Sequence, residues 1–321
     1  ALALLTPAAH ERGRATANLA NLLTDTLRSW DIAIGAVPAL DLDHNSRIRG
    51  RTVRDVCLTV GTWPHGYALP DMVTAGLNND LVAPPRSMID TQVRLGNPDA
   101  TLDDVGAAWQ QAADDIARWR DSGDAEEQAL LTVGGPLGPV PLATLVGASA
   151  FQIAVALRDI GVATADHVLS ADDRNRLHRI AVHSLTDSAG AVCARSEPVN
   201  DADQLLMLNI VTPQIRVGFG AIKNAWRTAL LPDPIPDAAP RINADAEVMI
   251  DIAAGRRSPL TAAAKREITV SDASGLLAVA RALLAAPDLP GGDGLRAALA
   301  AAQGASGLGS FVKNSLGRFR A

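Results

Sequence analysis

The chain has 321 residues, 48% of them hydrophobic, and a formal net charge of −6. This length is enough to bury a large core and is typical of about two domains, and the dispersed negative charge argues against a nucleic-acid-binding surface. The two cysteines, Cys57 and Cys193, are too few for a disulfide framework, and no apolar run reaches the roughly 18–20 residues that a membrane span needs. Because the first residues also lack the basic region of a signal peptide, the expected location is the cytoplasm.

Helices are predicted throughout the first half of the chain. Aromatic residues make up only 3% of the sequence, and the abundance of alanine, leucine and valine favours closely packed α-helices over a β-sandwich. Apolar residues at helical spacing predict a helix within 6–30. A second helix is predicted to begin at Thr52 and to include Val60, before the segment 61–64 ends or kinks it. Thr101, followed by two aspartates in the first turn, predicts the start of a third helix.

Two further helices follow a rigid loop. The loop 134–141 is rich in glycine and proline, and its prolines remove N–H donors that a phosphate-binding loop needs. The next helix is predicted over 141–160, and Ser170 caps another that extends to residue 189. Long helices joined by loops at these intervals predict a helical bundle over 1–190.

The later part of the sequence predicts a small α/β domain over 191–290. The segments 205–212 and 246–252 alternate in part between apolar and polar residues and predict strands, and 267–271 is a stronger strand candidate. A proline-rich linker over 231–240 divides this region. The predicted fold class is therefore α+β, mostly α.

The segment 291–321 is predicted to be a C-terminal tail. Its end, as an amphipathic helix, would carry apolar residues on one face and basic residues mostly elsewhere. One interpretation is a terminus packed on its own domain, and the other is a docking segment for a protein partner or an anionic membrane surface. The candidate docking residues are Phe311, Lys313, Leu316, Arg318, Phe319 and Arg320.

Two motifs resemble those of a known enzyme family. The segment 52–59, TVRDVCLT, resembles the pattern T-V-R-D-x-x-x-H of the mycothiol-dependent maleylpyruvate isomerases, and 141–159 resembles their second pattern, P-L-A…E-x-x-x-H-x-x-D. The stretch 250–283 is similar to the sterol-carrier-like module of that family. The resemblance implies a DinB-like helical bundle followed by a sterol-carrier-like α/β domain. The ratio of 26 arginines to 3 lysines is typical of a GC-rich genome and agrees with the actinobacterial occurrence of mycothiol.

The resemblance also implies that a metal site has been lost. In that family, the histidine of the first motif and the glutamate and histidine of the second hold a divalent metal, and here these positions carry Thr59, Gln152 and Ala156. Threonine and glutamine offer only neutral oxygens and alanine offers no ligand atom. The predicted function is therefore that of a pseudoenzyme, without cofactor, that binds a small molecule or a protein partner. The alternative is an active mycothiol-dependent isomerase or thiol transferase that holds a divalent metal through ligands not recognised in the sequence.

Cys57, Trp63 and Asp159 are candidates for a pocket left at the lost site. Each also has a structural interpretation: a buried cysteine, a core aromatic residue and a helix-pairing carboxylate. His178 and His183 are five residues apart, which rotates them by roughly 140° on a helix, so all the histidines are predicted to be surface or capping residues. No hydrolase, zinc-protease or nucleotide-binding motif is present in the sequence.

Overall fold

The computed structural model describes residues 19–64, 66–82, 85–161, 169–196, 205–231, 239–289 and 291–304. The chain mixes α-helices and β-strands, as predicted, and most of the described residues are helical. The described residues divide into two compact units, one within Glu11–Ser184 and the other within Leu185–Ala321. The division falls within one long helix. The domain boundaries predicted near residues 190 and 290 stay predictions.

The unit Glu11–Ser184 is helical apart from one short hairpin. Its elements are α1 (Leu19–Ala36), α2 (Val53–Cys57), α3 (Leu69–Leu77), α4 (Arg86–Gly96), α5 (Leu102–Asp121), α6 (Ala125–Gln128), β1 (Thr132–Val133), β2 (Val140–Pro141), α7 (Leu142–Asp159) and the first part of α8 (Ala171–Arg195). Strands β1 and β2 pair antiparallel. The predicted N-cap Thr101 is confirmed, and Thr52, predicted as the start of a helix, is also an N-cap, since each side chain accepts a hydrogen bond from the backbone N–H three residues later.

Helix α7 forms the centre of this unit. It contacts α1, α2 and α3, and 14 of its 18 residues are buried. Helix α8 is joined to it by the Ser184 hydroxyl, which donates to the carbonyl of Gly147 at 2.6 Å. Among the described helices, α7 alone has the length and the mean hydropathy, 1.3, of a membrane span. That is weak evidence for a span, because 78% of the helix is buried within the protein and a core helix has the same composition.

Three predicted helix ends were wrong. Helix α8 continues past residue 189 to Arg195. Helix α1 continues past Trp30 to Ala36, and the apolar spacing continues with it, since Ala33 and Ala36 are also buried. Helix α2 ends at Cys57, so Val60 lies outside it. Leu58 and Thr59 form a turn after it, and the φ of +97° at Gly61 excludes a helix that continues through that residue.

The unit that contains Leu185–Ala321 is built around a five-stranded sheet. Its elements after α8 are β3 (Leu206–Val211), β4 (Arg216–Ile222), β5 (Ala225–Leu230), β6 (Arg241–Ala244), α9 (Ala246–Ala253), α10 (Pro259–Ala264), β7 (Ile268–Val270), α11 (Ala273–Leu283) and α12 (Gly292–Gly304). The strand order is β5-β4-β3-β6-β7. Strands β3 and β6 are parallel, whereas the other neighbours are antiparallel. Helix α11 packs on the central strand β3.

The predicted strands at 205–212 and 267–271 are confirmed as β3 and β7. The strand predicted at 246–252 was wrong, because these residues form helix α9. Val248, Met249 and Ile250 are buried in succession, which a strand with one solvated face does not show. A short apolar segment of this kind is compatible with a strand or a helix, and in this protein it forms a helix.

Helix α8 packs closely against the sheet in this unit. Trp226 on β5 and Phe219 on β4 are fully buried. A Cβ atom on Gly190 of α8 would lie 2.9 Å from Cδ1 of Trp226 and 3.2 Å from Cβ of Phe219. Glycine at this position therefore allows the helix to approach the two aromatic side chains.

Candidate functional site

The three positions implied to be a lost metal site lie on or next to two helices that contact each other. Thr59 follows α2 in a turn, and its hydroxyl donates to the carbonyl of Val56 at 2.7 Å. Gln152 and Ala156 are one turn apart on α7, the first half-buried and the second 5% exposed. Because α2 contacts α7, both segments belong to the same part of the helical unit.

These residues do not fit a divalent metal. The Thr59 oxygen is neutral and is engaged as a donor to the backbone, Gln152 carries no charge, and Ala156 has only a methyl group. Within the part of the chain that the structure describes, no group of three His, Cys, Asp or Glu side chains could hold a metal ion. The donor set therefore gives no support for metal-assisted chemistry at these positions.

Both thiols are buried. Cys57 and Cys193 have no exposed surface, and neither forms a disulfide. Burial raises the pKa of Cys57 to about 12 and also raises the pKa of Cys193. At neutral pH both are thiols rather than thiolates, so neither is a nucleophile. Cys57 is thus a buried residue, and its role stays a prediction.

We expect neither thiol to react with Ellman's reagent in the native protein at pH 8, and two thiols per chain to react after unfolding. With a pKa of about 12, Cys57 has roughly a thousandfold less thiolate at this pH than a cysteine with an ordinary pKa of 9.0. Absorbance of the released chromophore, in buffer and in guanidinium, measures both quantities. Rapid labelling of either cysteine in the native state would contradict the burial described.

The histidine prediction was wrong for His178, which is buried on α8 with 2% of its surface exposed. It lies one residue after Leu177, on the part of α8 that packs inside the helical unit, and apolar neighbours on the helix explain why it is not at the surface. His183 is half-buried and His44 is exposed. The other three histidines lie outside the described residues.

The motif residues Arg54, Asp55 and Asp159 have structural roles. The Asp55 carboxylate accepts the backbone N–H of Thr52 at 2.9 Å and completes the N-cap of α2, and Arg54 pairs with Asp43 at 2.9 Å. Asp159 is 2% exposed at the end of α7, where its backbone carbonyl accepts the N–H of another segment. Asp55 therefore caps α2, and Arg54 pairs with a residue of the preceding loop.

A cleft of about 570 Å³ opens on the helical unit beside α5. Its floor is one face of α5, and its walls are the loop after α2 and the loop between α4 and α5. The lining residues are Thr62, Trp63, Pro64, Gly96, Asn97, Pro98, Asp99, Ala100, Asp104, Ala107, Ala108 and Gln111. Its volume is within the range of small-molecule sites. We call it the α5 cleft.

A buried carboxylate fixes two side chains of the α5 cleft. Asp115, 7% exposed, accepts hydrogen bonds from the Thr62 hydroxyl at 3.4 Å and from Nε2 of Gln111 at 2.8 Å. Its charge is compensated by contact with the guanidinium of Arg118. The backbone N–H of Thr62 also donates to the carbonyl of Ala108 at 2.9 Å. The lining is thereby preorganised before any ligand binds.

Of the residues predicted to line a pocket, Trp63 lies in the α5 cleft, and Cys57 and Asp159 do not. The polar residues of the cleft were not predicted, because Asp104 was interpreted only as part of the start of a helix. The available signal was the spacing of Asp104, Ala108 and Gln111, which places them on one helical face. The docking residues predicted in the tail, within 311–320, lie outside the described residues.

No family model matches the sequence, and no curated protein matches it. Two solved structures are similar to it. The crystal structure of a mycothiol-dependent maleylpyruvate isomerase has 13% identity and a TM-score of 0.43, and covers 79% of this chain and 92% of its own. A histidine-to-alanine mutant of that enzyme has 12% identity and a TM-score of 0.42, with the same coverage. At these values the similarity concerns the course of the chain and says nothing about the chemistry of particular residues.

Proposed function

We propose that this protein is a metal-free, non-catalytic relative of the mycothiol-dependent maleylpyruvate isomerases and acts in the cytoplasm as a binding module. Its DinB-like bundle would keep the helical fold of those enzymes without their metal-dependent reaction. The sterol-carrier-like domain would have a structural role. The observation that carries the proposal is the α5 cleft, which has the size of a ligand site and a preorganised lining, but no nucleophile among its described side chains.

The cleft side chains explain why binding is favoured over catalysis. The Thr62 hydroxyl is already committed to Asp115, and no cysteine, serine, lysine or described histidine lines the cleft. Hydrogen bonds from the backbone N–H and hydroxyl of Thr101 lower the pKa of Asp104, so this carboxyl is ionised at neutral pH and is a poor proton donor. The buried thiols of Cys57 and Cys193 support the same conclusion.

The test compares the metal content of the natural protein with that of a variant in which the ligand set is restored. The variant carries Thr59→His, Gln152→Glu and Ala156→His together. We expect less than about 0.1 divalent metal per chain in the natural protein and about one in the variant, because two imidazoles and a carboxylate are a complete set for a catalytic zinc. Elemental analysis after purification without chelator measures both, and circular dichroism checks that the variant folds.

The outcomes separate the parts of the proposal. About one metal per chain in the natural protein, removed by Gln152→Ala, would overturn the metal-free function. A folded triple variant that gains no metal would show that the three positions do not correspond to a former site. Turnover of mycothiol with an electrophilic substrate by the natural protein would favour the alternative of an active isomerase or thiol transferase.

A further inference from the structure

We propose that helix α4 is a dimerisation surface, on which two copies of this chain pair through the same residues in antiparallel orientation. The inference goes beyond the proposed binding function and does not depend on it. Three observations carry it: the distribution of charge around α4, the order of residues along its exposed face, and the charges at its two ends.

Charge is distributed around α4 in the reverse of the usual way. A surface helix normally presents charged side chains to water and apolar side chains to the protein. All three charged residues of α4 are half-buried instead. Arg86 pairs with Asp90 at 4.0 Å, and Arg94 pairs with Asp55 at 3.7 Å. The charges of the helix are therefore engaged on its inner half.

The exposed half of α4 is an uncharged stripe. With about 100° between successive residues of a helix, its members share one side of α4, and all of them are exposed. Met88 and Leu95 are seven residues apart and lie in one line on it, with 44% and 78% of their surfaces exposed. Large apolar side chains at that spacing are typical of a helix that packs against another helix. We call this surface the α4 stripe, and it consists of Ser87, Met88, Thr91, Gln92, Leu95 and Gly96.

The order of residues in the α4 stripe indicates that the partner is a second copy of the chain. From either end, the stripe contains a small residue, then a large apolar residue, then a polar one. A two-fold symmetric interface requires such self-complementarity, because each contact in it is made twice. An antiparallel second copy places Met88 against Leu95 of that copy and Thr91 against Gln92. The small residues at both ends of the stripe let the two helices approach closely.

The two ends of α4 have complementary charges. Arg86 lies in the first turn, where its charge adds to the positive end of the helix dipole, and no side chain caps that end. Beyond the negative end of the dipole, Asp99 is exposed, whereas Arg94 in the last turn is paired with Asp55. Antiparallel pairing places the basic end of each helix beside the acidic end of the other. A symmetric dimer makes this favourable contact twice.

The size of the surface predicts a weak dimer. The 11 residues of α4 form a helix about 16 Å long, which is short for an interface. The segment just before it adds two exposed apolar residues, Leu81 and Val82. Such a surface is at the lower end of specific interfaces, below about 1,200 Å² in total. We therefore expect a Kd on the order of 10–100 μM.

Sedimentation velocity of the full chain, over about 1–500 μM, measures this association. We expect the weight-average mass to rise with concentration from 33.4 kDa toward twice that value. Met88→Glu and Leu95→Lys, made separately, each place a charge against an apolar residue at both symmetric contacts, so each should weaken the Kd at least about tenfold. Leu230→Glu is the matched control, because Leu230 is exposed on β5, outside the stripe, and should change the Kd less than about twofold.

A mixture of the two variants distinguishes antiparallel from parallel pairing. In an antiparallel heterodimer, the introduced carboxylate at position 88 of one chain faces the introduced ammonium at position 95 of the other. The second contact keeps Met88 against Leu95. We expect the mixture to associate with a Kd within about threefold of that of the natural protein. Parallel pairing would place each position against itself and give no such recovery.

Three results would overturn the inference: a monomer at the highest concentration, unchanged association of both single variants, or a mixture that associates no better than either variant alone. The melting temperature of each variant in dilute solution completes the test. We expect it to be nearly unchanged, because Met88 and Leu95 are exposed in the single chain. A clear loss would show that another part of the same chain covers the stripe, and the inference would then be wrong.

Discussion

Replacing Trp226 with alanine is expected to lower the free energy of unfolding by about 3–5 kcal/mol. Trp226 is fully buried on β5, and the helix that covers it approaches so closely that a Cβ on Gly190 would lie 2.9 Å from its ring. The backbone of α8 is held rigid by its own helical hydrogen bonds and cannot move into the space left by the indole. A cavity should therefore remain. A loss of this size is a large fraction of the stability of a typical domain.

Urea denaturation followed by far-ultraviolet circular dichroism measures this loss. Trp226→Phe is the matched control, because phenylalanine keeps an aromatic ring at the position and should cost less than half as much. Trp30 on α1, 3% exposed in the helical unit, gives a second reference for the alanine substitution of a buried indole. An alanine variant at position 226 with nearly unchanged stability would show that the sheet and α8 do not pack as described.

Replacing Gly61 with alanine is expected to cost about 2–4 kcal/mol, through backbone strain and overpacking together. The φ angle of Gly61 is +97°, a conformation that a residue with a Cβ rarely adopts. The new methyl group would lie 2.7 Å from Cδ1 of Trp109 and 3.0 Å from the carbonyl oxygen of Ala108. Trp109 is almost fully buried and cannot move aside, because its Nε1 donates to the carbonyl of Cys57.

A matched control separates the two causes. Gly123 has a φ of +81° and no atom within 4 Å of an added Cβ, so Gly123→Ala carries only the backbone cost, about 1–2 kcal/mol. The difference between the two variants in chemical denaturation is the cost of the steric overlap. Equal losses would mean that the turn after α2 relaxes freely. Because Thr62 and Trp63 follow Gly61 directly, we also expect Gly61→Ala to weaken ligand binding in the α5 cleft.

The parts of the fold that could be predicted are those with local causes. The N-caps at Thr52 and Thr101 depend on a hydroxyl and a carboxylate three residues apart, and this spacing is visible in the sequence. Helix α7 was predicted from the resemblance of 141–159 to the second family motif, which lies on a helix. Strands β3 and β7 were recognised because apolar and polar residues alternate in part along them.

The parts that could not be predicted depend on tertiary structure. Helices α3 and α4 were missed because prolines, read as breakers, lie at their N-terminal ends: Pro70 in the first turn of α3 and Pro85 at the N-cap of α4. The sequence of α9 is equally compatible with a strand, and the packing that decides for a helix is not visible in the sequence. The α5 cleft draws its side chains from segments far apart in sequence, and only the backbone turn at Gly61 brings Trp63 beside α5.

The parallel pairing of β3 with β6 has a consequence for the order in which the sheet forms. Strands β3, β4 and β5 are joined by short turns, so their pairing closes only small loops of chain. Strand β6 pairs with β3 from beyond the whole β4–β5 hairpin, and closing that longer loop costs more chain entropy. The three-stranded meander is therefore the natural nucleus, and β6 and β7 add to its free edge at β3 once that edge exists. Until they do, β3 exposes an unpaired row of backbone groups, and this half-formed sheet is the species most open to pairing with another chain.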